Sequence, residues 1–117
     1  MKRLFPIFAV LTGALLSYAL YQALVVAPTD ALQGDVYRII FYHVSSAWTA
    51  FLFFTINFVA SVVYLIRRND KADVIAAVTA EVGVVFCTVV LVTGPLWARP
   101  VWGIWWTWDM RLTSTLV

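Results

Sequence analysis

Three long runs of apolar residues, almost free of charge, constrain this chain more than any other feature of its sequence. No Asp, Glu, Lys or Arg occurs from Leu4 to Ala27 or from Ile39 to Ile66, and Val74–Trp97 contains only Glu81. A helix needs about 20 predominantly apolar residues to cross the hydrocarbon core of a bilayer. The runs also lack the alternation that marks barrel strands. The sequence therefore predicts an all-α, integral membrane helical bundle with three complete transmembrane helices.

Composition supports a membrane environment. The chain is 63% hydrophobic and 12% charged, whereas soluble domains are roughly 45–50% apolar and about 25% charged. A chain of 117 residues is too small to bury that much apolar surface in one core, so membrane lipid is its expected surrounding. The first run is longer than the apolar part of a signal peptide, which predicts an uncleaved helix. A net charge of +2 gives no indication of a nucleic-acid partner.

Basic residues predict the orientation of these helices, because loops rich in Lys and Arg face the cytoplasm. Five of the eight basic residues flank one side of the predicted bundle: Lys2, Arg3, Arg67, Arg68 and Lys71. The other side has Arg38, Arg99 and Arg111. We therefore expect the N-terminus and the 67–73 loop to be cytoplasmic. The 28–38 loop and everything after Trp97 are expected outside, in the periplasm of a Gram-negative cell.

Residues Leu112–Val117 look like the start of a fourth apolar helix. This predicts either a fragment, a truncated or split gene, or a bundle completed by helices of another chain. No internal repeat or low-complexity linker is found, so residues 1–117 are interpreted as a single transmembrane domain.

Tryptophan is concentrated in one short segment. Five of the six tryptophans lie between Trp97 and Trp108, within GPLWARPVWGIWWTWDMRLT, residues 94–113. Proline and glycine interrupt helices, so Pro95, Pro100 and Gly103 predict that no continuous helix runs from Gly94 to Gly103. If residues 102–109 were a short helix, one face would carry four side chains: Trp102, Trp105, Trp106 and Asp109.

Two interpretations of this segment remain open. Tryptophan favours membrane–water interfaces, so the residues could form an aromatic belt. Alternatively, they form a flat aromatic platform for a large planar ligand with carboxylates, which Arg99 or Arg111 would pair with. Asp109 either pairs with Arg111 or a backbone amide, or orients the platform.

The segment WGIWWTWDMRLTS resembles the WWD signature of the haem-handling proteins of cytochrome c maturation. The preceding GPLWARPVWG and the upstream FYHVSSAW are similar to one branch of them, the haem exporter protein C (CcmC) family. The resemblance extends from about Phe41 to Val117. It implies a six-helix inner-membrane protein that holds haem on its periplasmic side, between the WWD segment and two axial histidines, and then passes it to a haem chaperone.

The cofactor implied by this resemblance is haem b, bound non-covalently as cargo. The predicted haem-binding residues are His43, Trp102, Trp105, Trp106, Trp108, Asp109 and Arg111. The sequence departs from the family pattern in two places. Ser45 stands where the pattern has proline after His-Val, and the second axial histidine would lie in an outer loop beyond a fourth helix.

His43, the only histidine, is predicted about one helical turn inside the outer end of the second span. Its helical stripe is rich in small and polar residues, as helix packing in membranes favours: Ala47, Ala50, Phe54, Asn57 and Ser61. His43 is then either a buried histidine bonded to a neighbour or an axial ligand of haem iron. The resemblance favours the ligand.

The leading functional hypothesis is a haem-binding and delivery protein, not an enzyme in its own right. A component of a haem lyase, which attaches haem to apocytochrome, is the alternative, because the WWD motif marks both. A haem or quinone subunit of a respiratory complex would need a second histidine within the spans, and His43 is the only one. The sequence contains no Walker motif, so any ATP use would belong to another subunit. The resemblance implies ABC-transporter-like maturation subunits as partners.

Overall fold

The computed structural model describes residues 2–117, and nearly all of its regular structure is helical. No strand occurs among these residues, and the only pairing of strand type is an isolated bridge between Asp30 and Gly34. In residues 2–117, four α-helices follow one another: α1 Leu4–Tyr21, α2 Ile39–Arg67, α3 Asp70–Trp102 and α4 Met110–Leu116. A π-helical turn, Gln22–Val26, follows α1, and a 3-10 turn, Asp35–Arg38, precedes α2. The prediction of an all-α fold is confirmed.

Among the described residues, three helical stretches have the length and hydropathy to cross a membrane: Leu4–Val26, Asp35–Arg67 and Asp70–Trp102. They correspond to the three apolar runs of the sequence. The third helix, with 33 residues, is longer than the predicted run Val74–Trp97. At 1.5 Å per residue it is about 50 Å long, whereas the hydrocarbon layer of a bilayer is about 30 Å thick. Its ends therefore extend beyond the apolar layer or the helix is strongly tilted.

Residues up to Arg38 form one compact unit, and Ile39–Val117 form a second. In the first unit the loop after α1 is tied back to the helical end before it. The Arg38 guanidinium donates to the Ala23 carbonyl at 2.9 Å and pairs with Asp35 at 3.1 Å. The Tyr37 hydroxyl also donates to the Pro28 carbonyl. These bonds give the short loop a defined conformation.

In the second unit, α2 and α3 are joined by a tight turn at Arg68 and Asn69. Arg68 has a positive φ of 51°, a left-handed conformation that commonly ends helices, and its guanidinium lies 5.6 Å from the centre of the Tyr64 ring. The Asn69 side chain caps α3 by accepting from the Lys71 amide at 2.9 Å. Such capping satisfies an amide that the first helical turn would otherwise leave unpaired.

Helices α2 and α3 pack along most of their length through small side chains, which let helices approach closely in a membrane. The buried residues are Ser46, Ala50 and Ala60 in α2, and Ala72, Thr79, Gly83 and Ala98 in α3. Residues earlier in α2 contact residues later in α3. Asn57 donates to the Ala76 carbonyl at 2.6 Å, and farther from the turn His43 meets Thr93. The pair is therefore an antiparallel hairpin.

The prediction that no continuous helix runs from Gly94 to Gly103 is wrong up to Trp102, because α3 continues through Pro95 and Pro100. Each proline removes one backbone donor, but membrane helices tolerate proline where neighbouring groups satisfy the freed carbonyl. The other breaker behaves as predicted. Gly103, with φ of 80°, takes the left-handed conformation that ends α3, and its amide donates to the Arg99 carbonyl at 3.0 Å.

We predict that Gly83→Ala destabilises the α2–α3 hairpin. A Cβ at Gly83 would lie 3.0 Å from a carbon of the Phe54 ring, and overpacking of this kind costs about 1–3 kcal/mol. The matched control is Gly13→Ala in α1, where a Cβ would meet nothing within 4 Å. Thermal unfolding of the purified protein in detergent should show a lower Tm for Gly83→Ala alone. Equal Tm values for both variants would contradict the close approach of Phe54.

Candidate functional site

His43 lies on α2 one turn after the helix begins, as predicted, and faces α3. Its Nδ1 is 2.9 Å from the Thr93 hydroxyl oxygen. The adjacent Gly94 allows this approach, because a Cβ there would be 3.3 Å from the imidazole Cε1. The ring is therefore held against α3 on one edge and is only partly buried.

The ring also borders an open groove along α2. The groove is lined by His43, Val44, Ala47, Trp48 and Phe51 and is largely open on one side. Trp48 and Phe51 pack edge to face, with ring centres 6.4 Å apart, and remain 71% and 67% exposed. The groove is thus an apolar, aromatic-walled surface with one imidazole at its edge.

The tryptophan segment does not form the short helix that would align its side chains. Residues 103–109 are irregular, and α4 begins only at Met110. The prediction that one helical face carries Trp102, Trp105, Trp106 and Asp109 is therefore wrong. The reason is local. Gly103 ends α3 in the left-handed conformation, and Asp109 caps a new helix. The residues between them therefore do not continue the backbone hydrogen bonds of either helix.

The tryptophans instead form two edge-to-face pairs. Trp97 and Trp102 have ring centres 5.1 Å apart, and Trp106 and Trp108 have ring centres 5.7 Å apart. Trp105 is 56% exposed. Within residues 2–117, the buried indole N–H of Trp106 finds no hydrogen-bond acceptor. The segment presents a cluster of rings at differing angles, not one flat platform.

Two arginines lie among these rings. The Arg111 guanidinium is 5.6 Å from the centre of the Trp102 ring and 3.6 Å from an Asp109 carboxylate oxygen. The Arg99 guanidinium donates to the Gly103 carbonyl at the end of α3, where a cation is favoured by the helix dipole. The Arg111 side chain stays 70% exposed, so most of its five N–H donors remain accessible to an anion.

Asp109 has a structural task at the start of α4. Its Oδ1 accepts from the Leu112 amide at 2.8 Å, and its Oδ2 accepts from the Thr107 hydroxyl at 3.1 Å. The Leu112 amide, more than the neighbouring Arg111, holds the pKa of this carboxyl below its usual value. The expectation that Asp109 pairs with Arg111 or a backbone amide is met on both counts.

Histidine and tryptophans lie at the same end of the α2–α3 hairpin. His43 contacts Thr93 and Gly94, and α3 then rises only about 12 Å from Gly94 to Trp102 before it ends. Sequence reasoning missed Trp48, Phe51 and Thr93 as parts of this site. Trp48 and Phe51 lie about 140° and about 80° around an ideal helix from His43, so the spacings of three, four and seven residues did not select them. The contact with Thr93 crosses 50 residues and leaves no local signal.

Fold and site together define a polytopic helical membrane protein with a histidine, an aromatic cluster and exposed arginine at one end of a helical hairpin. The sequence profile of the family described as Heme exporter protein C matches residues 1–117. The chain belongs to the heme exporter protein C family.

Individual relatives agree with this assignment. A heme exporter protein C of Bradyrhizobium diazoefficiens is 42% identical over 98% of the chain and 43% of its own length. One from Haemophilus influenzae is 37% identical over 98% of the chain and 47% of its length. A cytochrome c biosynthesis ccmC-like mitochondrial protein of Marchantia polymorpha is 39% identical over 88% of the chain and 45% of its length. The chain thus spans less than half the length of these curated relatives.

We predict that Asp109→Ala loosens the first turn of α4, because the Leu112 amide loses its acceptor. Hydrogen exchange of that amide should become faster. In the unaltered chain the pKa of Asp109 is lowered, so this carboxylate becomes protonated only below about pH 3.9, the ordinary pKa of aspartate. The cap should therefore persist from neutral pH down to that value. The control is Asp109→Asn, which caps without titrating. Unchanged Leu112 exchange in Asp109→Ala would show that the cap does not stabilise α4.

Proposed function

We propose that the chain binds haem at this end of the hairpin and serves haem delivery in cytochrome c maturation. The observation that carries the proposal is the position of His43. Its imidazole stands at the edge of an apolar, aromatic-walled groove, at the same hairpin end as the tryptophan cluster and Arg111. Names of the relatives, heme exporter protein C, favour transport or delivery over covalent attachment of haem.

The groove suits one side of a porphyrin. Haem is a planar apolar ring whose iron takes axial imidazole nitrogens, and aromatic side chains bind such rings by stacking and edge contacts. The residues that fit this task beside His43 are Trp48 and Phe51, which stay largely exposed in the structure. In the proposal haem b is bound non-covalently and remains cargo, so His43 provides an axial bond that can be broken again.

The tryptophan cluster supplies a second aromatic surface and the charge. Haem carries two propionates, and a guanidinium forms paired hydrogen bonds with a carboxylate. Arg111 is the better placed arginine, because it lies over the Trp102 ring and stays exposed, whereas Arg99 is engaged by the Gly103 carbonyl. Trp105, Trp106 and Trp108 complete the proposed surface, while Asp109 fixes the backbone from which Arg111 projects.

Location and partners follow from the same proposal. The haem site faces the periplasm, in the cytoplasmic (inner) membrane of a bacterium, with the N-terminus in the cytoplasm. Haem then passes to a periplasmic haem chaperone, and ABC-transporter-like maturation subunits supply any ATP-derived work. The open groove and the exposed rings of Trp108 and Trp48 support a site that a partner can reach directly.

We predict that His43→Ala lowers haem occupancy while membrane insertion is retained, because the axial bond is lost. Haem content and the Soret band of the purified protein measure this. Asn57→Leu is the control, since Asn57 also links α2 to α3 but lies about 21 Å farther along the helix. Wild-type haem content with an unchanged Soret band in His43→Ala would make His43 a packing residue and remove the main support for the proposal.

The proposed orientation predicts that Ile104→Cys, but not Asp70→Cys, reacts with a membrane-impermeant thiol reagent in intact spheroplasts. Both positions are exposed, and the basic residues favour the cytoplasm for the α2–α3 turn. Cys87, the only cysteine, is replaced by alanine in both variants, and lysed membranes show that each site can react. Labelling of position 70 but not of position 104 would show that the orientation is opposite to the proposed one.

A further inference from the structure

The Thr93 hydroxyl lies between His43 and the backbone of its own helix. Its oxygen is 2.9 Å from the imidazole Nδ1 and 2.7 Å from the Val89 carbonyl oxygen one turn earlier. A threonine hydroxyl has one proton to donate and two lone pairs to accept with. The Val89 carbonyl can only accept, so the short contact to it uses that one proton.

The direction of the other hydrogen bond then follows. With its proton on the Val89 carbonyl, Thr93 can meet Nδ1 only as an acceptor, which requires the proton of the neutral imidazole to be on Nδ1. We propose that Thr93 is a positioning residue that fixes His43 in the Nδ1–H tautomer and so leaves the Nε2 lone pair for haem iron. This inference rests on the proposed function, because it assigns a task to a neighbour of the proposed axial ligand.

The rotation of the ring is fixed at the same place. Gly94 lies against the Cε1 edge, with room for a ring but not for a Cβ without adjustment, since that Cβ would be 3.3 Å away. Thr93 and Gly94 together, here called the imidazole seat, hold both the orientation and the tautomer of His43. Histidines that bind metals commonly donate their other ring N–H to a partner, and loss of that partner lowers metal affinity about 10- to 100-fold.

The helix offers a matched control for a threonine that lacks this contact. The Thr88 hydroxyl donates to the Val84 carbonyl at 2.8 Å, which is the same bond to the preceding turn, but Thr88 is exposed and lies more than a turn from the imidazole seat. Replacing either threonine with valine keeps the branched shape and removes the hydroxyl. Only Thr93→Val also removes the hydroxyl that lies 2.9 Å from His43 Nδ1. The Val90 backbone, the other hydrogen-bond partner of the ring, is unchanged in both variants.

The test is a hemin titration of the full chain in detergent micelles, with Thr93→Val, Thr93→Ser, Thr88→Val and His43→Ala. We expect Thr93→Val to bind hemin about 10- to 100-fold more weakly and to shift the iron–imidazole stretching band of the reduced complex. Thr93→Ser should restore both, because serine keeps the hydroxyl, and Thr88→Val should match the unaltered chain. Circular dichroism checks that all variants keep their helix content.

The outcomes separate the two proposals. If His43→Ala binds hemin as the unaltered chain does, the proposed ligand is wrong, and the role of Thr93 falls with it. If His43→Ala loses binding while Thr93→Val keeps both the affinity and the stretching band, His43 remains the ligand and the imidazole seat is overturned. Failure of Thr93→Ser to restore a shifted band would also overturn it, since the effect would then come from packing.

Discussion

The close packing of α2 against α3 is the interaction on which the site depends. In lipid there is no water to satisfy free backbone groups, so the chain crosses as helices, and helices associate there mainly through van der Waals packing at small residues. Ala50, Ala60 and Gly83 provide that surface. The same approach brings two residues 50 positions apart, His43 and Thr93, to hydrogen-bond distance. The arrangement of the imidazole is thus a consequence of how the hairpin packs.

The tryptophan cluster depends on a different constraint, the place where α3 ends. Irregular backbone exposed to lipid is excluded from the hydrocarbon layer, and residues 103–109 are irregular. Gly103 must therefore lie near or beyond the edge of that layer, or be covered by protein. Tryptophan is at home in the interfacial zone, so the belt and the binding surface are compatible interpretations. Arg111 over Trp102, with Asp109 beside it, is a feature that an interfacial anchor would not need.

Sequence periodicity and run length predicted most of the fold, because membrane spans are set by local composition. Gly103 was also predictable, since a left-handed helix end favours glycine. Pro95 and Pro100 were misjudged because rules from water-soluble helices overstate the effect of proline within a bundle. The two tryptophan pairs could not be predicted, since they depend on the irregular path from Gly103 to Asp109. The role of Thr93 could not be predicted for a related reason. Its partner, His43, lies on another helix, and the contact depends on the register in which the two helices pack.

A protein that delivers its ligand needs a site that fixes geometry without enclosing the ligand. In the proposed site these two requirements belong to different groups. Geometry comes from the buried side of His43, where Thr93 and Gly94 hold the ring against α3. Access comes from the open side, where Trp48 and Phe51 line a groove that is not closed over. In the proposal, the oriented imidazole makes binding specific for haem, and the exposed aromatic contacts keep it reversible, as transfer to a partner requires.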